Sequence, residues 1–190
     1  SCGTGTIASG ANCSEDYLIT IPINATKGQY SLNTTCSWRN PDLSVKSVSN
    51  ISYVTVISNP RLEIVESLVF TTVLHNSSNT TNFTINSTGN DLFSNASSYC
   101  VSGTVCNAFS LRFVPLNITS LSQGSIQAVN VTVNVSVGYP PGVYQGIITS
   151  NTTGCSISGH CTDNVTLNVT VPTTLTWIFT PASYALNATT

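Results

Sequence analysis

The sequence predicts an all-β protein, a β-sandwich of about ten strands with an extended amino-terminal tail strand. Apolar and polar residues alternate at period two in one segment after another. Gly, Pro and Asn-Pro steps break that pattern every ten residues or so. No stretch keeps an apolar period of 3.6 for longer than one turn of helix.

The clearest element is residues 129–137, VNVTVNVSV. Val129, Val131, Val133, Val135 and Val137 fall on one face, and Asn130, Thr132, Asn134 and Ser136 on the other. β-Branched residues inward and small polar residues outward describe a half-buried strand.

From the amino terminus, residues 1–16 are small and polar, with three glycines, and read as an extended lead-in. Tyr17, Ile19, Ile21 and Ile23 then share one face, while Leu18, Thr20, Pro22 and Asn24 share the other. Pro22 has no N–H to give a ladder, so this strand belongs at an edge. Strands follow over 30–38, 45–57 and 62–74, with turns at Asn40-Pro41 and Asn59-Pro60. The second shifts its apolar phase between Val48 and Ile51, which reads as a bulge; the third also changes phase. Residues 76–90 read as a hairpin or edge strand, Phe83 and Ile85 alternating with Thr84 and Asn86, and 95–106 as a loop. Phe109, Leu111 and Phe113 mark the next strand. Beyond the valine strand, Tyr139-Pro140-Pro141-Gly142 turns into a strand over 143–150. Val165, Leu167, Val169 and Val171 repeat the pattern, and 175–179 is a last strand. No shift in composition marks a second domain, so residues 1–25 are expected as a tail and 26–190 as one sandwich head.

The chain has 190 residues and is 41% hydrophobic, but only 6% charged, against about 25% in an ordinary soluble protein. Enough apolar residues for a core exclude disorder, and five scattered cations cannot form the basic stripe that nucleic acid requires. No apolar run reaches the roughly 18 residues of a membrane helix. The opening SCGTGTIASGANC has neither a secretory leader nor a long apolar pilin helix, so a mature chain is expected.

Asparagine supplies the strongest signal. Of 20 asparagines, 16 begin an Asn-x-Ser/Thr sequon: Asn12, Asn24, Asn33, Asn50, Asn76, Asn79, Asn82, Asn86, Asn95, Asn117, Asn130, Asn134, Asn151, Asn164, Asn168 and Asn187. The Ser and Thr content alone would give roughly six. The chain therefore reads as a densely N-glycosylated, extracellular protein whose only attached groups are covalent glycans, with no other cofactor and no metal. Sugars and hydroxyls solvate at any pH. At pH 3, with carboxylates mostly protonated, the formal charge would move from -2 to about +7. Methionine, an oxidation liability, is absent. Together these imply an acidic, hot or oxidising exterior.

Seven cysteines in such a setting imply disulfides. Cys100 with Cys106 and Cys155 with Cys161 have loop-stapling spacing. Cys2 with Cys13, or else Cys13 with Cys36, would form a third bridge and leave one thiol free or joined to a neighbouring chain. Catalysis is not expected. Cys155, His160, Cys161 and Asp163 read as a closed loop rather than a metal site. Glu63 and Glu66 fall on opposite faces of a regular strand, unlike a glycosidase pair. An isopeptide crosslink would need Lys27 or Lys46 buried beside a carboxylate.

The segment Pro141-Gly142-Val143-Tyr144-Gln145-Gly146-Ile147-Ile148 is similar to the Pro-Gly-x-Tyr signature near the end of spore-coat-U and chaperone–usher pilin domains, although about forty residues follow it here. As a whole, with its many sequons, few charges, β head and small-residue tail, the chain resembles the subunits of archaeal threads. The resemblance implies an Ig-like, pilin-like sandwich and a glycosylated cell-surface filament of copies of this chain. These would link head to tail by donor-strand complementation and serve adhesion or biofilm formation. It also implies that the donor is the amino-terminal segment carrying Tyr17, Ile19, Ile21 and Ile23, with Thr4 to Ala8 or 175–179 as other candidates. A monomeric adhesin or lectin-like module, or a surface-layer component, is the alternative.

Overall fold

The computed structural model describes residues 11, 14, 16–22, 25–153, 155 and 161–173. The chain divides into two compact units, Ser1–Ile57 and Ser58–Thr190. The sandwich expected over 26–190 begins only in the second, and 28–56 form an element of their own.

In the first unit, β1 (Gly28–Arg39) pairs antiparallel with β2 (Val45–Val56) in continuous register from Gly28↔Val56 to Arg39↔Val45. The turn between them is fixed locally. Leu43 takes φ 67°, the Leu43 amide donates to the Asn40 carbonyl at 2.9 Å, and the Ser44 amide and hydroxyl both donate to Asp42 Oδ1, at 2.9 and 2.6 Å. The bulge expected between Val48 and Ile51 is not there. The apolar phase changes because both faces carry large side chains: Tyr30, Leu32, Trp38, Val48 and Val54 on one, Val45, Ile51 and Tyr53 on the other. Neither face is buried within the unit.

The second unit is an all-β sandwich. Its strands are β3 (Leu62–Ile64), β4 (Leu68–Thr72), β5 (Ser77–Ser87), β6 (Phe93–Gly103), β7 (Ser110–Val114), β8 (Asn117–Leu121), β9 (Ile126–Val135), β10 (Gly142–Asn151) and β11 (Thr162–Val171). One sheet runs β3-β5-β9-β7 and the other β4-β11-β10-β6-β8. Inward residues from both sheets meet in one cluster that includes Phe83, Ile85, Val129, Val131, Val133, Val135, Ile148, Val165, Leu167 and Val169. β9 and β11 supply it as their alternation requires, with every second residue buried. Val137, expected inward, lies past the end of β9 and is 74% exposed.

The phase change in 62–74 is a change of sheet. β3 pairs antiparallel with β5 and β4 pairs parallel with β11. The crossing falls at Glu66: the Val65 amide still donates to Thr84 of β5, while the Ser67 carbonyl already accepts from Thr166 of β11. Residues 76–90 hold β5, which pairs with β9 from Ser77 to Asn86 but with β3 only over 85–87, so its first part lies at the edge of the sheet as expected.

The expected loop over 95–106 is most of β6 followed by a short helix, α1 (Thr104–Ala108). Its inward residues are small, Ala96 and Ser98, and Ser98 meets Ser150 of β10 hydroxyl to hydroxyl at 2.8 Å. The one large buried side chain of β6, Phe93, is the strand's first residue, and no other follows within 95–103. α1 lies close against β10, with Val105 fully buried. Gly103 turns into it at φ 98°, where a Cβ would stand 2.4 Å from the Gln145 carbonyl oxygen. β8 was not expected from the sequence, because only Ile118 and Leu121 of it point inward.

Candidate functional site

The expected donor segment is not a strand in this chain. Residues 16–22 are extended without ladder partners, and Ile23 lies outside the described residues. Tyr17, Ile19 and Ile21 nonetheless turn to one side. Their exposures are 67, 48 and 47%, against 95% for Leu18 between them. They lie along the face of the hairpin that carries Tyr30 and Leu32. Ile19, Ile21 and Pro22 line a groove of about 390 Å³ with Tyr30, Leu32, Val54 and Val56. Asp16, Tyr17 and Ile19 border another, of about 490 Å³, with Cys36 and Val48. The other donor candidates, Thr4 to Ala8 and 175–179, lie outside the described residues.

In the sandwich, β3 and β7 are the edges of one sheet and β4 and β8 of the other. Beside the β7 edge, Leu111, Arg112, Phe113, Val114 and Leu116 line an open groove of about 470 Å³. The Pro-Gly-x-Tyr segment opens β10. Tyr144 packs edge-on to Phe109 with ring centres 5.0 Å apart, Tyr139 completes the trio, and the Tyr144 hydroxyl donates to the Pro140 carbonyl at 2.7 Å. This tyrosine pins the turn to the core.

Among the sequons, Asn12, Asn24 and Asn187 lie outside the described residues. None of the others is buried. Asn33, Asn50, Asn76, Asn79, Asn82, Asn95, Asn117, Asn130, Asn134 and Asn164 are exposed, and Asn86, Asn151 and Asn168 half-buried. Asn90, which begins no sequon, is the buried one and accepts the Asn59 amide at 2.6 Å. On the outer face of the four-stranded sheet, Asn82 of β5 stands directly opposite Asn130 of β9.

Cys100 and Cys106 form the expected disulfide, with Cα atoms 5.5 Å apart, tying β6 to α1. Cys155 and Cys161 are thiols rather than a bridge. They stand close enough to hydrogen-bond, and burial, followed by that contact, pushes Cys155 up to about 12. Its Sγ donates to the Pro60 carbonyl at 3.5 Å. Cys36 is an exposed thiol on β1; Cys2 and Cys13 lie outside the described residues.

The carboxylates weighed for chemistry hold backbone. Asp163 Oδ2 accepts the Ile64 amide at 2.7 Å, Glu66 Oε2 accepts the Thr84 amide at 2.7 Å, and Glu63 faces outward on β3. Lys27 and Lys46 are both exposed, which does not give either the burial an isopeptide bond needs. His160 lies outside the described residues.

No family model matches the chain, and no curated protein does. Among solved structures it is similar to a family 123 glycoside hydrolase from Clostridium perfringens, at 11% identity and TM-score 0.42 over 55% of this chain and 23% of that one. It is also similar to a protein of unknown function from Porphyromonas gingivalis, at 9% identity and TM-score 0.44 over 80% and 70%. The cadherin-like domains 1 to 4 of zebrafish RET match at 13% identity and TM-score 0.39 over 76% and 33%. The chain thus spans about a quarter of the length of the hydrolase. At these identities and scores none of the three informs on what this chain does.

Proposed function

We propose that the protein is the structural subunit of an extracellular cell-surface filament, a pilus or thread, heavily N-glycosylated and polymerised head to tail by donor-strand complementation, acting in adhesion or biofilm formation. One observation carries the reading. Every buried hydrophobic side chain among the described residues belongs to the second unit, whereas Tyr17, Ile19 and Ile21 have no ladder partner and the hairpin beside them buries neither face. A two-stranded hairpin is marginal in water by itself. An extended apolar segment with free main-chain groups is what an open sheet edge in a second copy accepts.

The β7 edge, with its apolar groove, is the acceptor we favour. Burying four large side chains there would contribute roughly 1.5–3 kcal/mol each, and main-chain pairing adds to that. Such a contact joins different surfaces on donor and acceptor, so it does not close, and repetition yields a filament. Glycans on outward strand positions keep neighbouring filaments from pairing sheet to sheet. The resemblance to archaeal threads points the same way.

The test is removal of residues 1–25, followed by electron microscopy and non-denaturing size analysis. The full chain should form filaments that run as a ladder, and the shortened chain should be monomeric. A full chain that stays monomeric under all assembly conditions overturns the filament in favour of a surface-displayed binding module. Filaments from the shortened chain would leave the filament standing and overturn the assignment of the donor.

A further inference from the structure

The two outer faces of the sandwich differ. On the four-stranded sheet the outward positions of β5 and β9 include Asn82, Thr84, Asn130, Thr132 and Asn134. On the five-stranded sheet, Leu68 and Phe70 of β4 and Val143 and Ile147 of β10 stand in solvent, with Phe70 74% exposed. These four apolar residues are grouped. In register, Asn168 of β11 lies directly between Phe70 and Gln145. Leu68 and Ile147 flank Thr166, and Val143 faces Thr170. Each of these three is therefore one diagonal step from Asn168, about 7–8 Å away on a pleated sheet. A sequon asparagine thus sits among four exposed apolar side chains, with Gln145, Thr72, Thr166 and Thr170 completing its surroundings.

The side chain of Asn168 adds a second observation. Its Oδ1 is shielded from solvent and has no hydrogen-bond partner. Asn164, the other sequon of the same strand, instead accepts the Thr149 hydroxyl at 2.6 Å. The Asn168 carbonyl therefore serves no hydrogen bond that would account for its place on the sheet.

We infer that an N-linked glycan on Asn168 lies across this patch, its first sugar against the Phe70 ring, and covers the apolar outer face of the sheet. This rests on the reading of the chain as a glycoprotein, not on the filament. The donor is a lipid-linked oligosaccharide, a polyprenyl phosphate or diphosphate. The Asn168 amide nitrogen attacks C1 of the first sugar, the C1–O bond breaks, the lipid phosphate leaves with the electron pair, and the nitrogen gives up one proton. The C–H face of a pyranose is apolar and slightly positive, which suits the electron-rich face of an aromatic ring. A protein partner fits the patch less well, because Asn168 begins a sequon in the middle of it and a glycan there would stand between the partner and the sheet.

The test uses the full chain made in its glycosylating host. Glycopeptide mass spectrometry should find sugar on Asn168. Thr170→Val removes the sequon and keeps the asparagine; it should lower Tm by about 2–4 °C and raise binding of a hydrophobic dye. Phe70→Ala should have a similar effect, and Thr170→Val should add nothing in its background. Protons of the Phe70 ring should show Overhauser contacts to the first sugar in the unmutated protein, which keeps the test open if a variant does not fold. A bare Asn168 beside occupied Asn82 or Asn130 overturns this inference and leaves the glycoprotein standing, while sequons bare throughout overturn both. Additive effects of the two substitutions, or no contact between ring and sugar, overturn the cover even with Asn168 occupied.

Discussion

Ser98 and Ser150 each satisfy the other inside the sandwich, so neither can be altered alone at low cost. Ser98→Ala should cost about 1–3 kcal/mol by leaving the Ser150 hydroxyl buried without a partner, and Ser98→Ala with Ser150→Ala should recover most of it. Denaturant midpoints of the three variants check this. At Gly103 the constraint is backbone: φ is 98° and a Cβ would meet the Gln145 carbonyl. Gly103→Ala should therefore destabilise by about 1–3 kcal/mol in the same assay. Two groups respond to pH in opposite directions. The Ser44 hydroxyl and amide hold Asp42 below its ordinary 3.8, so the hairpin turn's contribution is complete above that value and is lost as pH falls through the lower, folded one. A carbon-13 titration of the Asp42 carboxyl should give a midpoint under 3.8. The Cys155 thiol is raised from 9.0 to about 12, so its contribution is complete below 9.0 and is lost as pH climbs toward 12. At pH 8 it should alkylate more slowly than the exposed Cys36, as read by mass spectrometry.

Elements were legible where burial needs large side chains. β9 and β11 alternate large apolar residues and β10 follows the Pro-Gly turn, and the sequence placed all three within a few residues. β6 was read as a loop because beyond Phe93 its buried face is only Ala96 and Ser98; Gly146 beside it is so close to α1 that a Cβ would stand 2.8 Å from Val105 Cβ. Phase changes misled in one hairpin and informed in another chain crossing. In β2 they reflect apolar residues on both faces, and at Glu66 they mark a strand leaving one sheet for the other. The sequons were placed on accessible positions wherever the structure describes them, since the alternation that buries valine also exposes asparagine. That Tyr17, Ile19 and Ile21 have no ladder partner among the described residues was not legible, because period two says which side a residue faces and not whether a strand pairs with it. The Cys100–Cys106 spacing was legible as a staple, though not the helix it secures. Replacing Cys106 by serine reopens that short loop and should cost about 2 kcal/mol by the chain-entropy argument, read as a lower unfolding midpoint that matches the wild type under reducing conditions.

At the scale of the whole molecule the two units have unequal means of support. The second holds a closed core drawn from two sheets, a disulfide, and the tyrosine-pinned turn into β10. The first holds two twelve-residue strands and an unpaired apolar segment, with a local turn network as its main fixed point. Hydrophobic burial is the dominant favourable term in folding, so these units should not be equally able to fold alone. Residues 58–190 expressed without the rest should unfold in one cooperative transition by circular dichroism. Residues 1–57 alone should show no cooperative transition, and should gain β-signal only when something covers the hairpin faces. Adding 1–57 to 58–190 in trans separates the cases. If the first unit acts by strand donation, the mixture should form a discrete complex whose melting temperature exceeds that of 58–190 alone, and the complex should be lost with Ile19→Asp and Ile21→Asp. A cooperative fold for 1–57 in isolation would mean that the hairpin and its extended lead-in complete themselves, and the argument for a lent strand would fall with it.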